Sequence, residues 1–264
     1  EAYDGCNFDC IMCPLGKSIY KPGGAISIEL FDKIVSEISK YKNWIKLVCL
    51  SRNGEPLLNK NIVNMVKKLK DVGIKRVNFS TNASALTEKK SYDLLKAGLD
   101  EIRFSIDGYT KETFENVRKG SKFEKVISNC LKFISIRDKF NFKTQIQIRF
   151  VEQKKNQHEL KKWRDFWLSK LQKTDVVASK KLHSWGNEIE NGQRRLLVLG
   201  RFSCQRLASK ATFSGQQAIP PLWLQVCSHN RPSQCAQKRY AVAIRVGLQQ
   251  APPEPLSPLK PSLF

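Results

Sequence analysis

The sequence predicts an α/β chain: a partial, TIM-like (βα)6 barrel of parallel strands over residues 1–190, then an irregular extension over 191–264. Three observations carry this expectation. From Ser27 to about Lys181, short β-rich runs alternate with amphipathic runs at the spacing of one βα unit. The helical runs close on Gly73 and Gly98, where a chain leaving a helix for a strand commonly needs a left-handed residue. Past Asn191 that rhythm stops and the composition changes.

Each element has a local reason. Ser27 is placed to cap a helix whose Leu30, Ile34, Val35 and Ile38 share one face. Trp44 to Leu50 reads as a strand. Asn59 is expected to cap a second helix through Ile62, Met65, Val66 and Leu69, followed by a strand from Ile74 to Phe79. Thr87 opens a third helix, and Glu101 to Ile106 is the next strand. Lys122 to Lys139 reads as helix, Phe142 to Val151 as strand, Gln157 to Leu171 as helix, and Asp175 to Ser179 as the last strand. The chain opens at Glu1 without Met and close to Cys6, so the first strand of the barrel is expected to be truncated. In such folds the functional residues sit at the C-terminal ends of the strands.

Composition narrows the function classes. The 264 residues are 41% hydrophobic and 27% charged, and no apolar run approaches the length of a membrane span. The net charge of +22 has two origins. In residues 1–190 it comes from Lys runs such as Lys67-Lys68-Leu69-Lys70 and Lys89-Lys90, which read as solvated helix faces. Basic and aromatic residues do not interleave there as nucleic-acid readers require, so nucleic acid is not an expected partner. Residues 191–264 instead hold 10 Lys and Arg against a single acid, with Pro252, Pro253, Pro255, Pro258 and Pro261 crowding the end. A shifted reading frame or chimeric gene assembly would produce so abrupt a switch, and an ordinary low-complexity extension is the other reading. Eight cysteines without a secretory signal, three of them within eight residues, point to metal in a reducing, cytoplasmic compartment.

Those three are Cys6, Cys10 and Cys13, a CxxxCxxC run in a loop before the first helix. Three thiolates can hold three irons of a cubane and leave the fourth iron open to a ligand. A closed zinc site would need a fourth Cys or His that this neighbourhood lacks. Further along come Asn53-Gly54-Glu55-Pro56 after the second strand, Ser80-Thr81-Asn82 after the third, and Ser105-Ile106-Asp107-Gly108 after the fourth. A Gly lets a ligand approach the backbone closely, and a carboxylate can pair with an ammonium group.

In this order the motifs resemble those of the radical S-adenosylmethionine (SAM) superfamily. The resemblance implies a [4Fe-4S] cluster on Cys6, Cys10 and Cys13, with SAM chelating the fourth iron. It implies that Gly54, Glu55 and Pro56 meet the methionyl amino group, with Asn53 standing where the family has a first Gly. Ser80, Asn82, Ser105 and Asp107 fall where the family approaches the ribose and methionyl portions, and Arg118 resembles an Arg that meets the SAM carboxylate. Met12 stands where the family often places an aromatic against adenine. His183-Ser184-Trp185-Gly186-Asn187 resembles the junction to the cysteine-rich domain of the SPASM branch, and Cys204-Gln205-Arg206-Leu207 faintly resembles that domain's start, but Cys227 and Cys235 do not follow its paired-cysteine pattern, and no auxiliary cluster is expected. Cys49 and Cys130 read as core residues. Gln145 and Gln147 share one face of a strand, inner or outer.

The implied activity is reductive cleavage of SAM to a 5'-deoxyadenosyl radical that abstracts hydrogen from a peptide, carbohydrate or small molecule. A reducing donor such as flavodoxin or ferredoxin would supply the electron. The alternatives are an inactive fragment or non-catalytic iron-sulfur or zinc module, and a radical SAM methyl transfer or tRNA modification.

Overall fold

The computed structural model describes residues 1–13, 24–52, 54–182, 189–190, 193–194 and 243–244. The chain begins with β1 (Tyr3–Asp4), β2 (Asp9–Cys10) and β3 (Gly24–Ala25), and β1 pairs antiparallel with β3. Helix α1 (Ile28–Lys40) starts where the Ser27 hydroxyl accepts the Leu30 N–H at 3.2 Å, and it buries Phe31, Val35 and Ile38. After β4 (Val48–Cys49) comes a single 3-10 turn, Pro56–Leu58. Helix α2 (Ile62–Asp71) ends in a Schellman-type closure in which the Gly73 N–H reaches Lys70 and the Ile74 N–H reaches Leu69, with Gly73 at φ +91°.

The remaining order is β5 (Val77–Thr81), α3 (Glu88–Lys96, capped by Thr87), β6 (Glu101–Ser105), α4 (Lys111–Val117), β7 (Arg118–Lys119) and α5 (Phe123–Lys139). Then follow β8 (Gln145–Glu152), a 3-10 turn (Gln157–Glu159), α6 (Leu160–Leu168) and β9 (Val176–Lys181). Of the C-terminal part, β10 (Ile189–Glu190) pairs with β11 (Gln193–Arg194), and β12 (Ala243–Ile244) lies antiparallel on β4. Residues 183–187, Asn53, Cys204, Cys227 and Cys235 lie outside the described residues.

Strands β4, β5, β6, β8 and β9 are parallel and adjacent in that order. Alternation divides the sheet into two faces. Phe79, Ile102, Phe104, Ile146, Ile148 and Phe150 are wholly buried under the helices, with Phe104 edge-on to Phe133 at 5.5 Å and Phe150 against Trp163 at 4.9 Å. Each such side chain contributes about 1.5–3 kcal/mol by leaving water, so this outer face holds the helices on. The other face is polar. Register sets Cys49, Asn78, Glu101 and Gln145 in one row, Ser80, Arg103 and Gln147 in the next, and Ser105, Arg149 and Ala178 in a third. Gln145 and Gln147 therefore belong to the inner face.

The α/β class and the parallel strands are as expected: five parallel strands are present among the described residues, and at the N-terminus Ala2 lies alongside Leu50 through an N–H to O contact of 2.9 Å. The structure corrects three finer expectations. The expected Trp44 to Leu50 strand shrinks to β4 because the Trp44 and Ile45 amides both donate to the Tyr41 carbonyl and prolong the turn after α1. Asn59 does not cap α2; its side-chain oxygen accepts the Asn61 N–H at 2.8 Å and its amide donates to the Ala2 carbonyl at 2.7 Å, tying the N-terminus down. Helix α4 (Lys111–Val117) is an element that the sequence pattern does not predict. Among the described residues, no helix is long and apolar enough to cross a membrane.

Candidate active site at the strand ends

The cysteine loop is fixed by a short antiparallel ladder. Strand β2 pairs with β7 so that Cys10 faces Arg118, and the Ile11 N–H donates to the Val117 carbonyl at 3.0 Å. A turn from the Cys13 N–H to the Cys10 carbonyl then brings Cys13 round. Two of the sulfurs receive N–H donors. Cys6 Sγ accepts from the Phe8 amide at 3.4 Å and from Asn82 Nδ2 at 3.6 Å, and Cys10 Sγ accepts from Arg118 Nη1 at 3.8 Å. Such donors favour thiolate sulfur bound to iron and tune a cluster's potential.

Burial opposes thiolate formation in the absence of metal. It pushes the Cys10 thiol up to about 12, against the pull of Arg118 and with Cys13 and Cys6 adding repulsion. Burial raises Cys6 as well, the Phe8 amide opposing and Cys13 contributing. The three sulfurs thus feel one another. Thiols in this state exchange their protons for a metal rather than losing them to water. Among the described residues no three His, Cys, Asp or Glu side chains meet the spacing of a single-ion site. The fit to a cluster rests on the N–H donors and on three thiols brought to one loop.

Behind the loop, Glu55 joins two strand ends. Its carboxylate accepts the Leu57 N–H at 3.1 Å, the Thr81 hydroxyl at 2.6 Å and the Asn82 N–H at 2.7 Å. Burial raises its pKa, opposed by those donors. The carboxylate is built into the frame: it caps the 3-10 turn and sets the direction of Asn82, whose amide reaches Cys6 Sγ and Asn7 Oδ1. Gly54 is required by close approach, since a side chain there would press into the Tyr3 carbonyl and come within 2.8 Å of the Gly5 carbonyl. Pro56 opens the 3-10 turn and is buried, as is Leu57.

A second buried unit holds the loop from the opposite side. Asp107, with no exposed surface, accepts the Val151 N–H at 2.6 Å and pairs with Arg118 Nη2 at 2.6 Å. Burial raises Asp107, and the Arg118 charge opposes that rise. Arg118 thus divides its guanidinium between Asp107 and the Cys10 sulfur, where the resemblance had placed it against a SAM carboxylate. Gly108 is needed because any Cβ would fall 2.6 Å from the Phe114 nitrogen in α4. Met12 is buried in the apolar cluster beside the loop. Ser80 and Ser105, both half-buried, are at the C-terminal ends of their strands on the inner face.

Sequence reasoning missed Arg103, Arg149 and Lys180, which share the inner face below and beside these residues. The signal was present. Ile102 and Phe104, like Ile146, Ile148 and Phe150, mark the core face, so the intervening polar residues must point the other way.

A sequence model of the radical SAM superfamily matches residues 1–141, more than half of the 264 residues and all of the motifs just described. The chain belongs to the radical SAM superfamily. Members of this superfamily are enzymes that bind a [4Fe-4S] cluster and SAM. A GTP 3',8-cyclase of Desulforamulus reducens is 32% identical over 136 residues, 50% of this chain and 41% of that protein. A probable GTP 3',8-cyclase of Saccharolobus islandicus is 28% identical over 161 residues, 60% of this chain and 48% of that one. This radical SAM chain therefore spans about half the length of the curated relatives it matches. Among solved structures, SuiB of Streptococcus suis bound to S-adenosylmethionine aligns with TM-score 0.58 at 16% identity, over 73% of this chain and 41% of that one. Native anSMEcpe with bound AdoMet aligns with TM-score 0.55 at 20% identity, over 69% and 50%. Both share the fold.

Proposed function

We propose that this chain is the core of a radical SAM enzyme in which Cys6, Cys10 and Cys13 hold three irons of a [4Fe-4S] cluster. The observation that carries the reading is that two segments distant in the chain donate to the thiols, Arg118 N–H at Cys10 and Asn82 N–H at Cys6, with Glu55 behind Asn82. When bound, the cluster and SAM supply the electron and the 5'-deoxyadenosyl group for hydrogen abstraction from a substrate. The protein's own part is to bind, aim and exclude. Ser80 and Ser105 line the approach to SAM, with Gly54, Glu55 and Pro56 shaping its methionyl end. Asp107 and Arg118 act as positioning residues for the Cys10 thiolate, and Met12 gives the adenine side an apolar wall. The matched relatives are named for a reaction on GTP, which supports adding a nucleotide to peptides, carbohydrates and small molecules as a candidate substrate class.

The test is anaerobic reconstitution followed by assay of iron, sulfide and 5'-deoxyadenosine under a strong reductant. The wild-type chain is expected to take up close to four irons per chain and to release 5'-deoxyadenosine. Cys10→Ala should lose both. Iron-sulfur absorption retained in full by that variant would refute the assignment.

A further inference from the structure

Among the described residues, the inner face of the sheet carries three cations, Arg103, Arg149 and Lys180, against one acid, Glu101. Arg103, Arg149 and Lys180 lie on β6, β8 and β9, each one row nearer the strand ends than the last: Arg103 is level with Gln147, Arg149 with Ser105 and Ala178, and Lys180 with Val151. Glu101 is the acid in this group. It is buried, and both of its oxygens are committed, one to Arg103 Nε and the other to Arg76 Nη2 at 2.7 Å.

Arg149 is left with a neutral partner. Its Nε and Nη2 donate to Gln147 Oε1 at 3.2 and 2.9 Å, and among the described residues no carboxylate lies within ion-pair distance. Burial, and next the charge of Arg103, hold its guanidinium below the ordinary range. A half-buried guanidinium beside a second one, with Glu101 the nearby acid already held by Arg103 and Arg76, is costly to keep unless an anion arrives to complete it. Three N–H hydrogens remain on Arg149 in the planar fork that matches a phosphate or carboxylate. Its row is also the row of Ser105, one of the residues assigned to SAM.

We infer that Arg149, with Arg103 below it and Lys180 above it, forms a subsite for an anionic group, phosphate or carboxylate, carried by the substrate. This rests on the radical SAM reading for its meaning, since it puts a charged handle of the substrate within the same sheet that presents SAM. Arg118 cannot play this part, because Asp107 already neutralises it.

The experiment titrates the full-length chain with inorganic pyrophosphate and with succinate, two probes that separate phosphate from carboxylate preference, and follows binding by calorimetry. Wild type should bind at least one of them, and Arg149→Gln should weaken that binding by about tenfold or more, with Arg149→Lys in between. Arg76→Gln, at the exposed rim of Glu101, should leave it within about twofold. Should Arg149→Gln not fold, Arg149→Lys and Lys180→Gln carry the test, each expected to weaken the same probe. Equal binding by wild type and these variants, or no binding of either probe by wild type, would overturn the inference. So would loss of the SAM-induced change in the cluster's spectrum in Arg149→Gln with probe binding intact, which would assign Arg149 to the SAM carboxylate. A wild-type chain that takes up no cluster would remove the enzymatic reading alone, because the probe titration is read on the folded protein without it.

Discussion

The two ends of the parallel sheet use the same buried Arg and Asp pair to different effect. At the N-terminal end, Arg137 and Asp175 form a two-armed pair at 2.8 and 2.7 Å, and Asp175 also accepts the Ile146 and Gln172 amides. Every arm of that pair closes on the frame. At the C-terminal end, Asp107 and Arg118 are buried as deeply, yet one arm of the guanidinium reaches the Cys10 sulfur. The first arrangement fastens α5 to β8 and β9. The second fastens a strand end to a thiol, so part of its bonding capacity reaches beyond the frame.

Removing each acid would break or sharpen this comparison. Asp175→Ala leaves Arg137 buried without a partner and should cost about 3–5 kcal/mol in urea unfolding while reconstituted iron content stays normal in the folded fraction. Asp107→Ala should cost a similar amount and in addition reduce the iron retained, because Arg118 loses the anchor that aims it at Cys10. Equal iron content in the two variants would end the distinction between the ends.

A third carboxylate gives a smaller effect with a pH signature. Glu159 caps the loop ahead of α4, taking the Tyr109 and Thr110 amides and the Thr110 and Thr113 hydroxyls. Burial pushes its pKa up, but those four donors outweigh burial and hold it below the ordinary 4.5. Its folded pKa is depressed, so its contribution is present above the unfolded value and is lost as pH falls through the folded one. Glu159→Gln should cost about 1.5–3 kcal/mol at pH 7 and progressively less below pH 4.5, measured as urea midpoints across pH. A cost that does not change with acidification would show that the carboxylate's charge plays no part.

The smallest effect belongs to the inner face. Arg149→Gln removes a charge that makes no ion pair among the described residues, so stability should change by no more than about 1 kcal/mol in either direction. A loss as large as that of Asp175→Ala would mean that Arg149 is structural.

Much of this was legible in the sequence because it depends on neighbours in the chain. The CxxxCxxC spacing, the Ser27 and Thr87 caps, and the Gly73 and Gly98 closures all act within a few residues. The roles of Glu55, Asp107 and Arg118 were only half legible, since their motifs mark the strand ends but not their partners. Arg118 meets a sulfur 108 residues away through a ladder of two residue pairs, which no local pattern announces. Helix α4, with Phe114 and Val117 as its buried apolar residues, was too short for periodicity to detect. Arg149 was visible as alternation, but its lack of an ion-pair partner among the described residues is a property of three strands together.

The most direct measurement is the electron paramagnetic resonance spectrum of the anaerobically reconstituted, reduced protein with and without SAM. The account predicts a cubane signal that changes when SAM is added, from wild type and not from Cys10→Ala. A well-folded wild-type chain that gives no such signal, or one indifferent to SAM, would contradict it.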